Sequence, residues 1–81
     1  MYEDAVRPLN ELKPGQKAFV VALMGGRSFQ TRLIDMGLNV GSAVELIRTA
    51  NVRGGGALVA VGETRLAIGS GMAGKILVAS D

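Results

Sequence analysis

The sequence contains no cysteine and no histidine among its 81 residues. The absence of cysteine excludes disulfides, thiolate metal sites and thiol catalysis. The absence of histidine removes the side chain most often used for proton transfer near neutral pH. Carboxylates are scattered, since only Glu3 and Asp4 are neighbours. We therefore expect no catalytic residues, no cofactor and no tight metal site within one copy of the chain.

Long apolar runs and aromatic residues are also scarce. The longest strongly apolar run covers residues 18–24, far short of the ~20 residues that a membrane-spanning helix needs. The first four residues do not resemble a signal peptide. We therefore expect a soluble, intracellular protein without membrane insertion. With a net charge of +2 and only Tyr2, Phe19 and Phe29 as aromatics, the chain offers little for phosphate binding and base stacking, and nucleic acid is not the expected partner.

What the sequence does contain is a series of short segments typical of β-strands. The pattern predicts strands over 17–23, 43–49, 57–61, 65–68 and 75–79, with a tight hairpin turn at Gly62-Glu63-Thr64. In the first strand both faces are apolar, and the pattern places Phe19 in the core. Residues 1–8 show no periodicity and are predicted to be a loose N-terminal arm, which leaves residues 9–81 as a single domain.

One short helix is predicted between the first two strands, over residues 28–36. Phe29, Leu33 and Met36 recur at helical spacing and form one apolar stripe. Gly37 follows the last periodic residue, where a helix end favours a left-handed residue, and Gly41 marks a second turn. About five strands with one inserted short helix predict a mainly β, antiparallel and partly closed barrel.

The segment Arg32-Leu33-Ile34-Asp35-Met36-Gly37-Leu38-Asn39-Val40-Gly41 resembles the signature of the FeoA ferrous-iron-transport family. Residues 9–15, 62–68 and 72–78 resemble that family's opening, its hairpin and its closing strand, in the same order along the chain. The resemblance implies a small SH3-like barrel and a cytoplasmic, non-enzymatic protein. It also implies a partner, the GTP-driven membrane permease for ferrous iron called FeoB.

The chain departs from the family pattern in its loops. Val40 replaces the usual proline, residues 50–56 lack the usual proline-containing turn, and Gly69 stands where an arginine is expected. Polar or marginally apolar residues beside two sharp turns of a rigid barrel are typical of binding sites. On that ground the predicted partner-binding residues are Arg32, Asp35, Leu38, Asn39 and Arg53. We expect a monomer or weak oligomer. The alternative is a small barrel that binds nucleic acid, or the accessory domain of a metal-dependent repressor.

Overall fold

Six antiparallel strands and one nine-residue helix form most of the computed structural model, which describes residues 6–49 and 56–80. In chain order the elements are β1 (Val6–Pro8), a 3-10 helix (Leu9–Glu11), β2 (Lys17–Leu23), α1 (Arg27–Asp35), β3 (Ala43–Thr49), β4 (Gly56–Val61), β5 (Thr64–Gly69), a short helix α2 (Ser70–Ala73) and β6 (Ile76–Ser80). The mainly β fold with a short helix inserted after the first predicted strand is confirmed.

The sheet has the strand order β1-β6-β2-β3-β4-β5, with every neighbouring pair antiparallel. Within the described residues β1 and β5 each pair with one neighbour, so hydrogen bonds do not close the sheet into a ring. The expected loose arm is wrong for residues 6–8, because Val6 and Pro8 pair with Ala79 and Leu77 of β6. Three residues are too few for an alternating pattern to be visible in the sequence. Residues 1–5 lie outside the described part.

The core fills the inner face of this sheet and contains only apolar side chains among the described residues. Large aliphatic side chains from strands, turns and helix meet there with less than 2% of their surface exposed. Burying each of them contributes about 1.5–3 kcal/mol. These fully buried residues are Leu9, Leu33, Leu38, Leu46, Ile76, Val20, Val59 and Val78.

The face of β2 that packs in the core is not the one that carries Phe19. Ala18 and Val20 are buried, whereas Phe19 is 48% exposed. The register to β6 shifts between Val20 and Ala22, which is a bulge that leaves Val21 without a partner of its own. The predicted core position of Phe19 is therefore wrong. Because both faces of β2 are apolar, alternation alone could not decide which face is buried.

Helix α1 packs through the predicted stripe. Leu33 is fully buried, and Phe29 and Met36 pack against the core while remaining partly exposed. The helix begins one residue earlier than predicted, at Arg27, and its N-cap is Gly26, which makes no side-chain capping bond. The carbonyl of Gly26 accepts the first intrahelical hydrogen bond, from the Gln30 N–H at 3.0 Å.

The helix ends where the glycine predicts. Gly37 has a φ of +98°, and its N–H donates to the carbonyl of Ile34 at 2.9 Å. The next N–H, that of Leu38, donates back to the carbonyl of Leu33, also at 2.9 Å. These two bonds form a Schellman motif, which satisfies carbonyls that the helix end would leave unpaired.

Replacing Gly37 with alanine should lower the free energy of unfolding by about 1 kcal/mol or more. An added Cβ would meet no atom within 4 Å, so the cost arises from the backbone conformation alone. The urea midpoint should fall at an unchanged slope. Gly71→Ala is the matched control, since Gly71 also has open space around it but no positive φ. Equal midpoints for the two variants would contradict the capping role of Gly37.

Candidate partner-binding surface

The exposed side of α1 forms an open groove of about 560 Å³ lined by Arg27, Ser28, Thr31, Arg32, Asp35 and Met36. All of these side chains except Met36 are exposed. We call these six residues the α1 surface. It presents two arginines, one carboxylate and two hydroxyls along one helix. Such a set can form hydrogen bonds and ion pairs with another protein.

The N-terminal half of α1 is fixed to the end of β2 by a polar side chain that the sequence pattern did not single out. The Gln30 amide nitrogen donates to the carbonyls of Leu23 at 3.0 Å and Gly25 at 3.1 Å. Nearby, the Lys75 ammonium lies 5.5 Å from the centre of the Phe29 ring, a cation–π distance. These contacts hold α1 to the sheet in one orientation, so the α1 surface is presented by a rigid support.

Leu38 was predicted to contact a partner, and the structure shows that this is wrong. Its side chain is 0% exposed. A Schellman motif commonly brings the residue after the glycine against the helix residue three before the cap. Here these positions are Leu38 and Leu33, and both lie in the core. The helix–Gly–Leu pattern was the sequence signal for this burial.

The turn after Leu38 is closed by Ser42. The Ser42 N–H donates to the Asn39 carbonyl at 2.9 Å, and the Asn39 N–H donates to Ser42 Oγ at 3.0 Å. The same hydroxyl donates to the Gly37 carbonyl at 3.2 Å. Gly41 occupies the third position of this turn with a φ of +97°, as in a type II turn. The predicted structural role of Gly41 thus has a specific geometry.

The remaining predicted contact residues lie in different situations. Arg32 and Asp35 are exposed and line the same groove. Asn39 is exposed at the start of the turn and is not part of that groove. Arg53 lies outside the described residues. Binding through Arg32, Asp35, Asn39 and Arg53 stays a prediction.

The end charges of α1 oppose the helix dipole. Arg27 is its first residue and Asp35 its last, and its first turn contains no acidic residue. The partial positive charge at a helix N-terminus favours a carboxylate, and the C-terminus favours a cation. Each misplaced charge costs about 0.3–1 kcal/mol when exposed. Arg32, in the last turn, offsets part of this cost. The α1 surface is therefore not arranged for the stability of its own helix.

A second exposed feature is the outer face of the sheet around Phe19, the residue that the alternation pattern placed in the core. A groove of about 300 Å³ lies on this face. It is lined by Phe19, Ala43, Lys17 and Glu45, together with residues of β4 and its turn. The sequence signal for the exposure of Phe19 was the small Ala18 next to it, in a strand with two apolar faces. This signal did not determine which face of β2 is buried, because the pairing partners of β2 were not known.

Within residues 6–49 and 56–80, no three or more histidine, cysteine, aspartate or glutamate side chains are grouped so as to hold a metal ion. Among the described residues, no helix combines the length and the apolar character that a membrane crossing requires.

Comparison with known proteins gives a consistent family. The FeoA domain model matches residues 7–80. The putative Fe(2+) transport protein A of Methanocaldococcus jannaschii is 35% identical over 71 residues, which make up 88% of this chain and 83% of that protein. A crystal structure of an iron uptake regulatory protein (FeoA) is 37% identical with a TM-score of 0.79, covering 90% of this chain and 93% of that one. The predicted SH3-like fold is thereby confirmed.

The fold is also similar to part of a manganese-dependent transcriptional repressor. The TM-score is 0.81 at 20% identity, and the match covers 94% of this chain and 42% of the repressor chain. At this identity the likeness shows a shared fold and nothing about regulation.

Replacing Val40 with proline should raise the free energy of unfolding by about 0.4–1 kcal/mol. Val40 is the second residue of the turn closed by Ser42, where proline matches the required φ. Its side chain is 64% exposed, so no packing is lost. Thermal and urea unfolding would measure the change. Val6→Pro, at another exposed valine but in a strand, is the contrast and should not stabilise. A Val40→Pro variant that unfolds more easily would contradict this turn geometry.

Proposed function

The chain belongs to the FeoA family, whose members are accessory proteins of ferrous iron transport, and on that premise we propose a specific role. The protein binds the cytoplasmic part of a GTP-driven, FeoB-type iron permease and acts without catalysing a reaction itself. It works in the cytoplasm, and ferrous iron is the cargo of the permease. The absence of histidine and cysteine from the sequence fits this division of roles.

The observation that carries the proposal is the charge arrangement of α1. Arg27 and Asp35 each weaken the helix that bears them, and both are exposed beside the groove. Residues that reduce stability without a structural benefit are typical of functional sites, where binding is favoured over stability. The α1 surface is therefore the preferred contact for the permease, and Asn39 and Arg53 are further predicted contact residues.

Rigidity supports the same assignment. Gln30 and Leu33 hold α1 to the sheet, and the Schellman motif fixes where the helix ends. A surface fixed in the free protein loses less conformational entropy on binding. A small protein with a small contact area gains affinity in this way, because each ordered side chain would otherwise cost about 0.5–1.5 kcal/mol.

Charge reversal on the α1 surface should weaken binding to the permease. Arg32→Glu should reduce retention of the protein by the immobilised cytoplasmic part of the cognate permease about fivefold, equivalent to ~1 kcal/mol. Arg53→Glu should act in the same direction. Arg65→Glu is the matched control, because Arg65 is an exposed arginine on the edge strand β5. Equal retention of wild type, Arg32→Glu and Arg65→Glu would remove the α1 surface from the proposal.

Nucleic-acid binding is the second candidate, and the exposed Phe19 ring beside Lys17 favours it. An exposed aromatic next to a cation is a stacking site for an unpaired base. In that case the wild type would not be retained by the permease but would bind single-stranded oligonucleotides with an affinity that falls steeply with salt. Phe19→Ser would abolish that binding.

Arg27→Glu separates stability from binding. A glutamate at the first residue of α1 suits the helix dipole, so the free energy of unfolding should rise by roughly 0.3–1 kcal/mol. Binding to the permease should fall, because a cation of the α1 surface is replaced by an anion. Lys13→Glu makes the same change of net charge on an exposed residue outside the helix and should do neither. If Arg27→Glu lowered stability, the dipole argument would be wrong.

A further inference from the structure

The outer face of the sheet carries a row of apolar residues across four strands. Val6 on β1, Ala79 on β6, Phe19 on β2 and Ala43 on β3 stand in register with one another. Neighbouring strands lie ~4.8 Å apart, so the row is continuous. Phe19 is 48% and Val6 44% exposed. Ala43 is also exposed, and Ala79 is half-buried between its neighbours.

A charged row lies beside the apolar row. Lys17 on β2 is paired in register with Glu45 on β3, and Glu45 is paired with Ala60 on β4. The groove of about 300 Å³ joins the two rows, since Lys17, Phe19, Ala43 and Glu45 all line it. The strands β2 and β3 therefore expose two adjacent cross-strand pairs. In one pair the large side chain of Phe19 lies beside the small side chain of Ala43. In the other pair the cation of Lys17 lies beside the anion of Glu45.

These two pairs are complementary to themselves. We place a two-fold axis in the plane of the interface, parallel to β2 and β3 and midway between them. Rotation about this axis brings each β2 residue of one copy over a β3 residue of the second copy. That β3 residue is the one with which the β2 residue is paired in its own chain. The register then places Phe19 on Ala43 and Lys17 on Glu45, twice each. In an isologous contact the same patch must match itself in this way.

We propose that this outer face is the interface of a two-fold symmetric homodimer, in which Phe19 of each copy packs on Ala43 of the other and Lys17 of each pairs with Glu45 of the other. The patch is small, so the dimer belongs to the weak class that buries less than ~1,200 Å² in total. Because the association is weak, the dimer forms only where the local concentration of the protein is high. The proposal is independent of binding to the permease, which uses the α1 surface.

A second copy fits this face better than a nucleic acid strand does. The stacking site at Phe19 would have to accept a phosphate near Glu45, whose carboxylate repels it. A second copy instead supplies the cation that Glu45 attracts. It also supplies the small Ala43 that accommodates the Phe19 ring.

Sedimentation equilibrium of the full chain at up to about 1 mM tests the proposal, since this range detects millimolar association. The wild type should show an average mass rising with concentration toward that of a dimer. Lys17→Glu or Glu45→Lys alone should raise the dissociation constant at least about fivefold, because both contacts of such a homodimer then join like charges. Lys13→Glu, with the same change of net charge outside the face, should leave the dissociation constant unchanged.

The decisive measurement is a mixture of the Lys17→Glu and Glu45→Lys variants. In the mixed dimer, positions 17 and 45 of one copy each meet an opposite charge on the other copy. Association should therefore return to at least the wild-type level. Each variant alone places two like charges opposite each other on β2 and β3 of its own chain. Mixing leaves that strain within each chain unchanged, so restored association cannot arise from folding effects. Circular dichroism confirms that each variant is folded before mixing.

The apolar part of the interface has its own control pair. Phe19→Ser should abolish association, whereas Ile34→Ser should not, although both native side chains are 48% exposed. A wild type that stays monomeric at about 1 mM would overturn the proposal. Equal association of the wild type with all charge variants would overturn it as well. A monomeric wild type that binds single-stranded oligonucleotides through Phe19 would overturn it in favour of a nucleic acid partner.

Discussion

The short connection from α1 to β3 determines how the helix and the sheet are placed relative to each other. Gly37 turns the chain through a φ of +98°, and Leu38 then enters the core beneath Leu33. Directly afterwards the Gly41 N–H donates to the Val20 carbonyl at 2.7 Å, and the Val20 N–H donates to the Ser42 carbonyl at 2.9 Å. Helix, turn and strand are thus joined within residues 36–43. These bonds, together with those of Gln30 near the start of the helix, set the orientation of the α1 surface.

The fold could be predicted wherever one face of an element is clearly more apolar than the other. In β3 the apolar Val44 and Leu46 alternate with Glu45. Both Val44 and Leu46 are buried, as this pattern predicts. The helix is predicted by the helical spacing of its apolar stripe, and its end is predicted by the glycine that follows. Strand β1 could not be predicted, since its reason for forming is the free edge of β6 rather than a pattern of its own. Pairing between distant segments is not visible in local periodicity.

The candidate surface was only partly predictable for a similar reason. Arg32, Asp35 and Asn39 are exposed, as expected for polar residues near turns. Leu38 was misplaced because burial there depends on the hydrogen bonds that close the helix end, and these bring the following residue back over the helix. Phe19 was misplaced because its strand is apolar on both faces. In that case the neighbouring strands and the bulge at Val21 select the buried face.

The arrangement of β2 shows a conflict between packing and composition. Its buried residues are Ala18 and Val20, and they share the core with larger side chains such as Leu9, Leu38 and Leu46. Turning Phe19 inward would add a large ring to this core, and overpacking a core costs about 1–3 kcal/mol. The aromatic ring is therefore placed in water, where an apolar surface favours association. The unfavourable charges on α1 and the exposed ring on β2 are both costs to the isolated chain. Contact with another molecule, through the α1 surface or the outer face of the sheet, offsets these costs. In the isolated chain they are not offset.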